Sequence, residues 1–585
     1  MTYERQQHWQ FLGEELKAQT ETFNQKLNTS ALFLLHEREE LFVAQFLKFR
    51  DGEMILKFSN RRGVPRQREY LNCFTVPKDL RNYRNWGRKT YGDLIRSQTN
   101  CTEIICIWHA PSTENDFSIC AFRGMEIEFA NNIQNADGII LILGPNKPPI
   151  EYLKNLQNIV NNESDEAVKN ILDQDFHYSN WKPVLLDNKK NTKDYLLAQL
   201  LLQNTLIVQG PPGTGKTHLI AEICAKLCTE GMSVLVTALT NRALIEIAEK
   251  PALNSMLLEN LVLKTKLSLD ELIAIENLQP AKEISPQPGK LILSTFYIVS
   301  GQASQYVNNP PFDYVIVDEA SQALLAMFAA ARMLGKKNIW IGDTKQLPPV
   351  VAVNEDQLVK KNYGYLVNGL AALIDLSKLP IFQLTETFRL TDRAAYYTGL
   401  FYSNNLTSKS LTLLKQPLEV GVNGAGRYFH QAGGPTLIKT DLEIDDLKPT
   451  NAVLITLDLI NYLISIDHKL NIAVLTHFVQ TTKILHKHIY QSFGNRKNIL
   501  VDTVARVQGL TTDICIFIVP NASYYRSIEK RLFNVATSRS RKNTIIIADK
   551  EVLDGYHMDS EVKNYLEKLD KDFSFYVKMK NTNIN

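Results

Sequence analysis

The sequence predicts an α/β chain with two parallel sheets, preceded by a helical stalk and a β-rich accessory domain. Three observations carry this prediction. Strand-like and helix-like runs alternate from about 185 to 345, as a parallel sheet requires, and again from about 380 to 550. A glycine loop, Gly210-Pro-Pro-Gly-Thr-Gly-Lys-Thr217, sits between a short apolar strand (205–208) and a run with Leu219, Ile220, Ile223, Cys224 and Leu227 at helical spacing. Short β-rich runs separated by turn clusters fill 31–145.

Taken in order, residues 1–30 read as a solvated helical stalk, polar but with Trp9, Phe11, Leu12 and Leu16 loosely periodic. Residues 31–180 read as the accessory domain. Its strands are expected at 41–49, 104–108 and 138–143, with a helical return at 151–175 through Tyr152, Leu153, Leu156, Ile159 and Val160. Residues 181–380 form the first α/β domain and 381–585 the second. A chain of 585 residues is too long for one core, and about three to four domains are expected.

Composition bounds the function classes. Apolar residues make up 44% and charged residues 22%, ordinary values for a soluble globular chain, and a net charge of +3 names no partner. Seven cysteines without a C-x-x-C pair point to neither a disulfide framework nor a zinc module, which fits a cytoplasmic location. The polar N-terminus lacks a signal-peptide core, and the apolar run 139–143 is too short to span a bilayer, so no membrane partner is expected. Charge is uneven locally. Residues 61–89 carry nine basic side chains, among them Arg61, Arg62, Arg66 and Arg68, against Glu69 and Asp79, with Tyr70, Phe74, Tyr83 and Trp86 between them. This segment is either a solvated face or a single-strand contact, with bases stacked on aromatics between phosphate-binding arginines.

The glycine loop carries the chemistry. It fits G-x-x-x-x-G-K-[ST], in which backbone N–H groups and a helix N-terminus cradle phosphates. Gly210, Pro211, Pro212, Gly213, Thr214, Gly215, Lys216, Thr217 and His218 are the candidate nucleotide-binding residues. Lys216 would reach the β/γ-phosphates and Thr217 would bind Mg²⁺. The apolar run 314–317 ends in Asp318-Glu319, where open α/β sheets bind ligands. Asp318 would hold Mg²⁺ through water, and Glu319 would deprotonate the attacking water. A further strand, 338–341, leads into Gly342-Asp343-Thr-Lys-Gln346-Leu-Pro-Pro349, whose glutamine could report hydrolysis through a hydrogen bond.

The order of these motifs resembles superfamily 1 helicases, specifically the 1B group containing the up-frameshift-type RNA/DNA helicases, over about 200–550. In that resemblance 209–217 is motif I, and 318–323 is motif II. The segment 342–349 is similar to motif III. Thr237, Thr240 and Asn241 fall in motif Ia, and Ser294 and Thr295 in motif Ib, which implies contacts with nucleic acid. Leu384-Thr-Glu-Thr-Phe388-Arg389 looks like motif IV, implying that Phe388 stacks on the base and Arg389 reaches the phosphates. Val504-Ala-Arg-Val-Gln508-Gly509-Leu-Thr511 resembles motif V, with a RecD-like Thr511 and with Gln508 at the nucleotide. Arg539 in Asn534-Val-Ala-Thr-Ser-Arg539-Ser-Arg541 aligns with the arginine finger. Lys193 occupies the register of the family's adenine-reading glutamine, with Gln199 and Gln203 nearby.

The resemblance implies two RecA-like domains with ATP and Mg²⁺ between them. Lys216, Thr217, Asp318, Glu319 and Gln346 would come from the first wall, Arg389 and Arg539 from the second. It also implies 5′→3′ movement on single-stranded RNA or DNA. A translocase that strips proteins without unwinding, and a nucleic-acid sensor or clamp set by ATP, are the alternatives.

Overall fold

The computed structural model describes residues 3–59, 63–111, 116–135, 138–162, 166–174, 180–187, 191–410, 424–442, 449–494, 496–507, 509–519, 528–554 and 558–578. A 26-residue helix, Tyr3–Asn28, opens the chain. It is not the solvated stalk that its polarity suggests. Arg5, His8, Phe11, Leu12 and Glu15 are buried, and their three- and four-residue spacing puts them on one face. Buried polar groups need partners. Arg5 donates to the Asp173 carboxylate and to the carbonyls of Val160 and Asn162. The Glu15 carboxylate accepts the N–H groups of Ala352 and Val353. A face that is half polar leaves little hydropathy signal.

The accessory domain is a closed antiparallel barrel. Its strand order is Phe42–Arg50, Glu53–Ser59, Phe117–Arg123, Asn100–Pro111, Tyr70–Thr75 and Ile140–Gly144, which returns to the first. Closure removes exposed edges. Phe42, Ala44 and Phe46 alternate inward; Ala44 and Phe46 stand opposite Phe58 and Leu56 across the first hairpin, and Phe42 opposite Leu143. That hairpin turns at Asp51-Gly52, both with positive φ, as a two-residue turn requires. A Cβ on Gly52 would stand 2.6 Å from the Asp270 Cα, so the turn packs directly on the next domain. Asp270 accepts the Gly124 N–H, and the Leu269 N–H donates to the Met125 carbonyl. The barrel is thus seated on the first α/β unit.

That unit is a parallel sheet ordered Gln279–Pro280, Val262–Lys264, Leu291–Thr295, Val234–Ala238, Phe312–Val317, Gly335–Gly342, Thr205–Gln209, Ile381–Leu384, Val184–Leu186. Its central strands are buried along their whole length, because helices cover both faces. Helix Glu151–Asn161 belongs to this core: Leu153, Leu156 and Ile159 pack with Phe296, Val299 and Phe328. The second unit is a parallel sheet ordered Ile499–Thr503, Ile472–Thr476, Thr512–Ile518, Ser540–Asp549, Gly434–Thr440, Ser574–Val577. Among the described residues, no helix is long and apolar enough to cross a membrane.

Candidate nucleotide-binding cleft

The glycine loop leaves strand Thr205–Gln209 and enters helix Lys216–Thr229. Gly213 and Gly215 have φ of 74° and 79°, a region that excludes ordinary side chains. A Cβ on Gly213 would also lie 2.4 Å from the Arg389 Cβ. Gly210 and Pro211, at the start of the loop, hold the lysine: Lys216 Nζ donates to their carbonyls at 2.6 and 3.3 Å. The Gly210 N–H in turn donates to the Gly342 carbonyl, tying the loop to the strand that carries Asp343.

Around this loop runs a cleft of about 640 Å³, lined from both sheets. The first side brings residues 212–218, Asp318, Glu319 and Gln346; the second brings Gly509, Leu510, Thr511, Arg539 and Arg541. Among the described lining residues, six permanent cations (Lys216, Arg242, Lys250, Arg389, Arg539, Arg541) face four carboxylates (Glu246, Asp318, Glu319, Asp343). The excess is cationic, as a polyphosphate site requires.

Asp318 and Glu319 leave the carboxyl end of strand Phe312–Val317. Asp318 is 5% exposed and accepts the Glu319 N–H. Burial raises Asp318 to about 6, against the pull of Lys216. Burial, with Asp318 and Glu246 beside it, raises Glu319 to about 7. Glu319 has φ 49°, strain at the point where its carboxylate enters the cleft. The Gln346 amide donates to Asp343 Oδ2 at 2.7 Å, and Gln209 donates to Asp343 Oδ1 at 3.0 Å.

Arg389 does not come from the second wall. Strand Ile381–Leu384 completes the first sheet beside the phosphate-loop strand, and the chain then crosses over the loop. The Phe388 N–H donates to the Gly213 carbonyl, and the Thr387 hydroxyl to the Pro212 carbonyl. Arg389 is therefore held over the loop by its own backbone and reaches across to the Ser538 carbonyl at 3.4 Å. Burial, with Arg539 and Arg541 nearby, lowers its pKa below the ordinary guanidinium value. The Phe388 ring is 52% exposed and flanks Gly215.

Arg539 follows helix Lys530–Thr537 and is 1% exposed. Its guanidinium donates to the Val535 and Leu510 carbonyls at 2.8 and 3.3 Å. Arg541, exposed and also lining the cleft, is the cation that motif alignment leaves without a role; its i, i+2 spacing from Arg539 was the available signal. Arg242 and Lys250, from helix Asn241–Ala248 and just after it, were not foreseen at all. His218 is exposed and faces Glu222. Lys193, Gln199 and Gln203 do not line the cleft; the Gln203 carbonyl accepts from Lys337 instead. Gln508 lies outside the described residues.

The nucleic-acid candidates separate into two groups. Thr240 caps helix Asn241–Ala248 through the Ala243 N–H, and Thr240 and Asn241 are exposed. Thr237 and Ser294 are fully buried and Thr295 nearly so; the Ser294 hydroxyl accepts from Thr265. They are buried because both faces of their strands are covered along the whole length.

Arg61 and Arg62 lie outside the described residues. Arg68 is 3.9 Å from Asp502, and its carbonyl accepts from Arg506, which itself stands 3.7 Å from Asp502. This arginine docks the barrel on the second sheet. Arg66 is exposed, 3.9 Å from Glu69. Phe74 and Trp86 are buried in a second cluster, outside the barrel interior, with Leu34 and Tyr91, and Trp86 Nε1 donates to the Leu80 carbonyl, so they offer no stacking surface. Tyr70 remains exposed.

Two family models, each described as an AAA domain, match residues 195–352 and 370–551. The DNA replication ATP-dependent helicase/nuclease DNA2 of Saccharomyces cerevisiae is 28% identical over 45% of this chain and 17% of its own length. The Schizosaccharomyces pombe protein of the same description is 24% identical over 62% and 28%. The chain spans under a third of the length of these curated relatives. Among solved structures, the Arterivirus nonstructural protein 10 (helicase) overlaps 83% of this chain and 77% of its own at 12% identity, with a TM-score of 0.35.

Proposed function

Because this chain belongs to the superfamily 1B helicases, we propose that it is an ATP hydrolase that moves 5′→3′ along single-stranded nucleic acid and separates duplexes. The cleft supports this reading: one parallel sheet supplies the phosphate loop and carboxylates, and the other supplies Arg539 and Arg541. A ligand that bridges them couples chemistry to the spacing of the two sheets.

Lys216, already directed at the loop, would neutralise the β/γ-phosphates. Thr217 and Asp318 offer hard oxygen ligands; no group of three His, Cys, Asp or Glu able to hold a metal exists among the described residues. That donor set suits Mg²⁺, which is completed by substrate phosphates and water and would stabilise charge on the transferring group. Glu319, raised to about 7, is matched to accept a proton from the attacking water near neutral pH. Arg389 and Arg539 would stabilise the charge that develops on the phosphoryl group. Arg539 is held by backbone carbonyls, so little reorganisation accompanies the step.

Thr240 and Asn241 would meet the strand directly, and the ends of strands Val234–Ala238 and Leu291–Thr295 through backbone groups. The curated relatives are described as DNA replication helicases, which favours DNA over RNA.

The test pairs ATP turnover with strand displacement, using single-stranded DNA, single-stranded RNA and duplexes tailed at one end. Displacement from 5′ tails alone, with DNA-stimulated turnover, is the expected result. Displacement from 3′ tails alone would overturn the polarity. Turnover without displacement from either tail would favour a translocase, and a single turnover per binding event a clamp.

A further inference from the structure

Tyr402 closes the short helix Leu400–Tyr402 of the second unit, and its ring packs in that unit's core with Phe401, Phe533 and Tyr565. Its hydroxyl leaves that core and crosses to the first unit. It donates to Asp343 Oδ2 at 2.7 Å and accepts from Asn534 Nδ2 at 2.9 Å. Asn534 also donates to the Lys345 carbonyl at 2.8 Å. Leu347, two residues on, packs against the second unit's core. The loop 343–347 is thus plugged into the second unit, with Tyr402 at the centre of the contact.

Asp343 is buried and acts as an acceptor hub. Gln209, the Lys345 N–H, Gln346 and Tyr402 all donate to it. Three of these donors belong to the first unit; Tyr402 belongs to the second. Gln346 lines the nucleotide cleft, and Asn534 lies on helix Lys530–Thr537, which leads into Arg539. One hydroxyl therefore stands between the glutamine on one wall and the arginine helix on the other. Burial and Asp343 hold the Tyr402 proton on, so it stays a donor across the working pH range. Such a bond is direction-specific and responds to displacements of a few tenths of an ångström.

We infer that Tyr402 is a positioning residue that sets Gln346 and Arg539 together, so that the hydrolytic geometry forms only when the two units take one relative position. This rests on the ATP-hydrolase reading above. Tyr402 touches no nucleotide-facing space, since it does not line the cleft.

The experiment compares Tyr402→Phe, Gln346→Ala and the double variant with the wild-type full chain, measuring kcat and KM for ATP with and without single-stranded DNA. Tyr402→Phe should lower DNA-stimulated kcat by about tenfold or more with KM within about threefold, because ground-state contacts stay intact. The double variant should be no slower than Gln346→Ala alone, because residues acting through one network are not additive. Wild-type kcat in Tyr402→Phe, or losses that multiply in the double variant, would overturn the assignment while leaving the hydrolase reading in place. A wild-type chain without ATP turnover would overturn the hydrolase reading and this inference together. If Tyr402→Phe melts well below wild type, Asn534→Ala carries the same comparison, since it removes the partner bond from the helix side.

Discussion

The ammonium of Lys216 donates to the Gly210 carbonyl at 2.6 Å, so the loop that would bind phosphate already orients the lysine that would neutralise it. Burial holds the Lys216 pKa below its ordinary value, so the site gains from an anionic partner. Lys216→Ala should therefore abolish both ATP binding and turnover. Glu319→Gln removes the water-activating carboxylate and leaves the cradle intact. It should bind ATP within about threefold of wild type while losing turnover by about 10²-fold or more. Wild-type turnover in Glu319→Gln would remove this residue from the reaction.

Arg539 is fixed by carbonyls of its own unit and lines the cleft from the second sheet. A preorganised cation acts mainly on the transition state. Arg539→Ala should cut kcat by about 10³-fold with little change in ATP affinity. A normal turnover number with weakened binding would count against that role.

Nucleotide selectivity should be loose. The Phe388 ring offers a stacking surface beside the loop, and stacking tolerates any base. Lys193, Gln199 and Gln203 do not line the cleft. Without a hydrogen-bonded reader, rejection of GTP by about 10⁴-fold is not available. Steady-state assays should find kcat/KM for GTP within about tenfold of ATP. Background GTP turnover would point to a reader outside the described residues.

Arg66 and Arg68 should behave differently. A phosphate contact on a single strand contributes about 0.7 to the slope of log affinity against log salt. Arg66, exposed, should lower that slope by about 0.7 when changed to Ala if it meets the strand. Arg68 faces Asp502 and bonds Arg506 through its carbonyl, so Arg68→Ala should leave the slope unchanged. A flattened slope in Arg68→Ala, with Arg66→Ala unaffected, would reverse the assignment.

Acid stability should report on the N-terminal helix. Burial, followed by the Arg5 charge, lowers His8 from 6.5 to about 3. A depressed histidine stays neutral when folded, while the unfolded chain takes up a proton below about 6.5. Its contribution is full above that pH and is lost on acidification towards 3, at up to about 1.4 kcal/mol per pH unit. The loss of melting temperature between pH 7 and pH 4.5 should be smaller in His8→Phe than in wild type. Parallel losses in the two proteins would place His8 outside the acid response.

The sequence by itself determined the phosphate loop, the carboxylates at a strand end and the order of the motifs. These are local features: strand, glycine turn and helix occupy about 25 consecutive residues, and the positive φ of Gly213 and Gly215 follows from a turn that only glycine accepts cheaply. Only the tertiary structure decided which partner each polar group found. Glu15 meets backbone N–H groups at 352 and 353, Thr387 reaches Pro212, and Tyr402 reaches Asp343. Arg389 moved to the first sheet, Arg68 became a docking residue, and Trp86 was buried against the short helices beside the barrel. Periodicity reports that a face will be buried, because burial of apolar area is non-directional. A hydrogen bond or ion pair needs one partner at one distance and angle. For these pairs the partner is dozens to hundreds of residues away, so chain topology supplies what the local pattern does not contain.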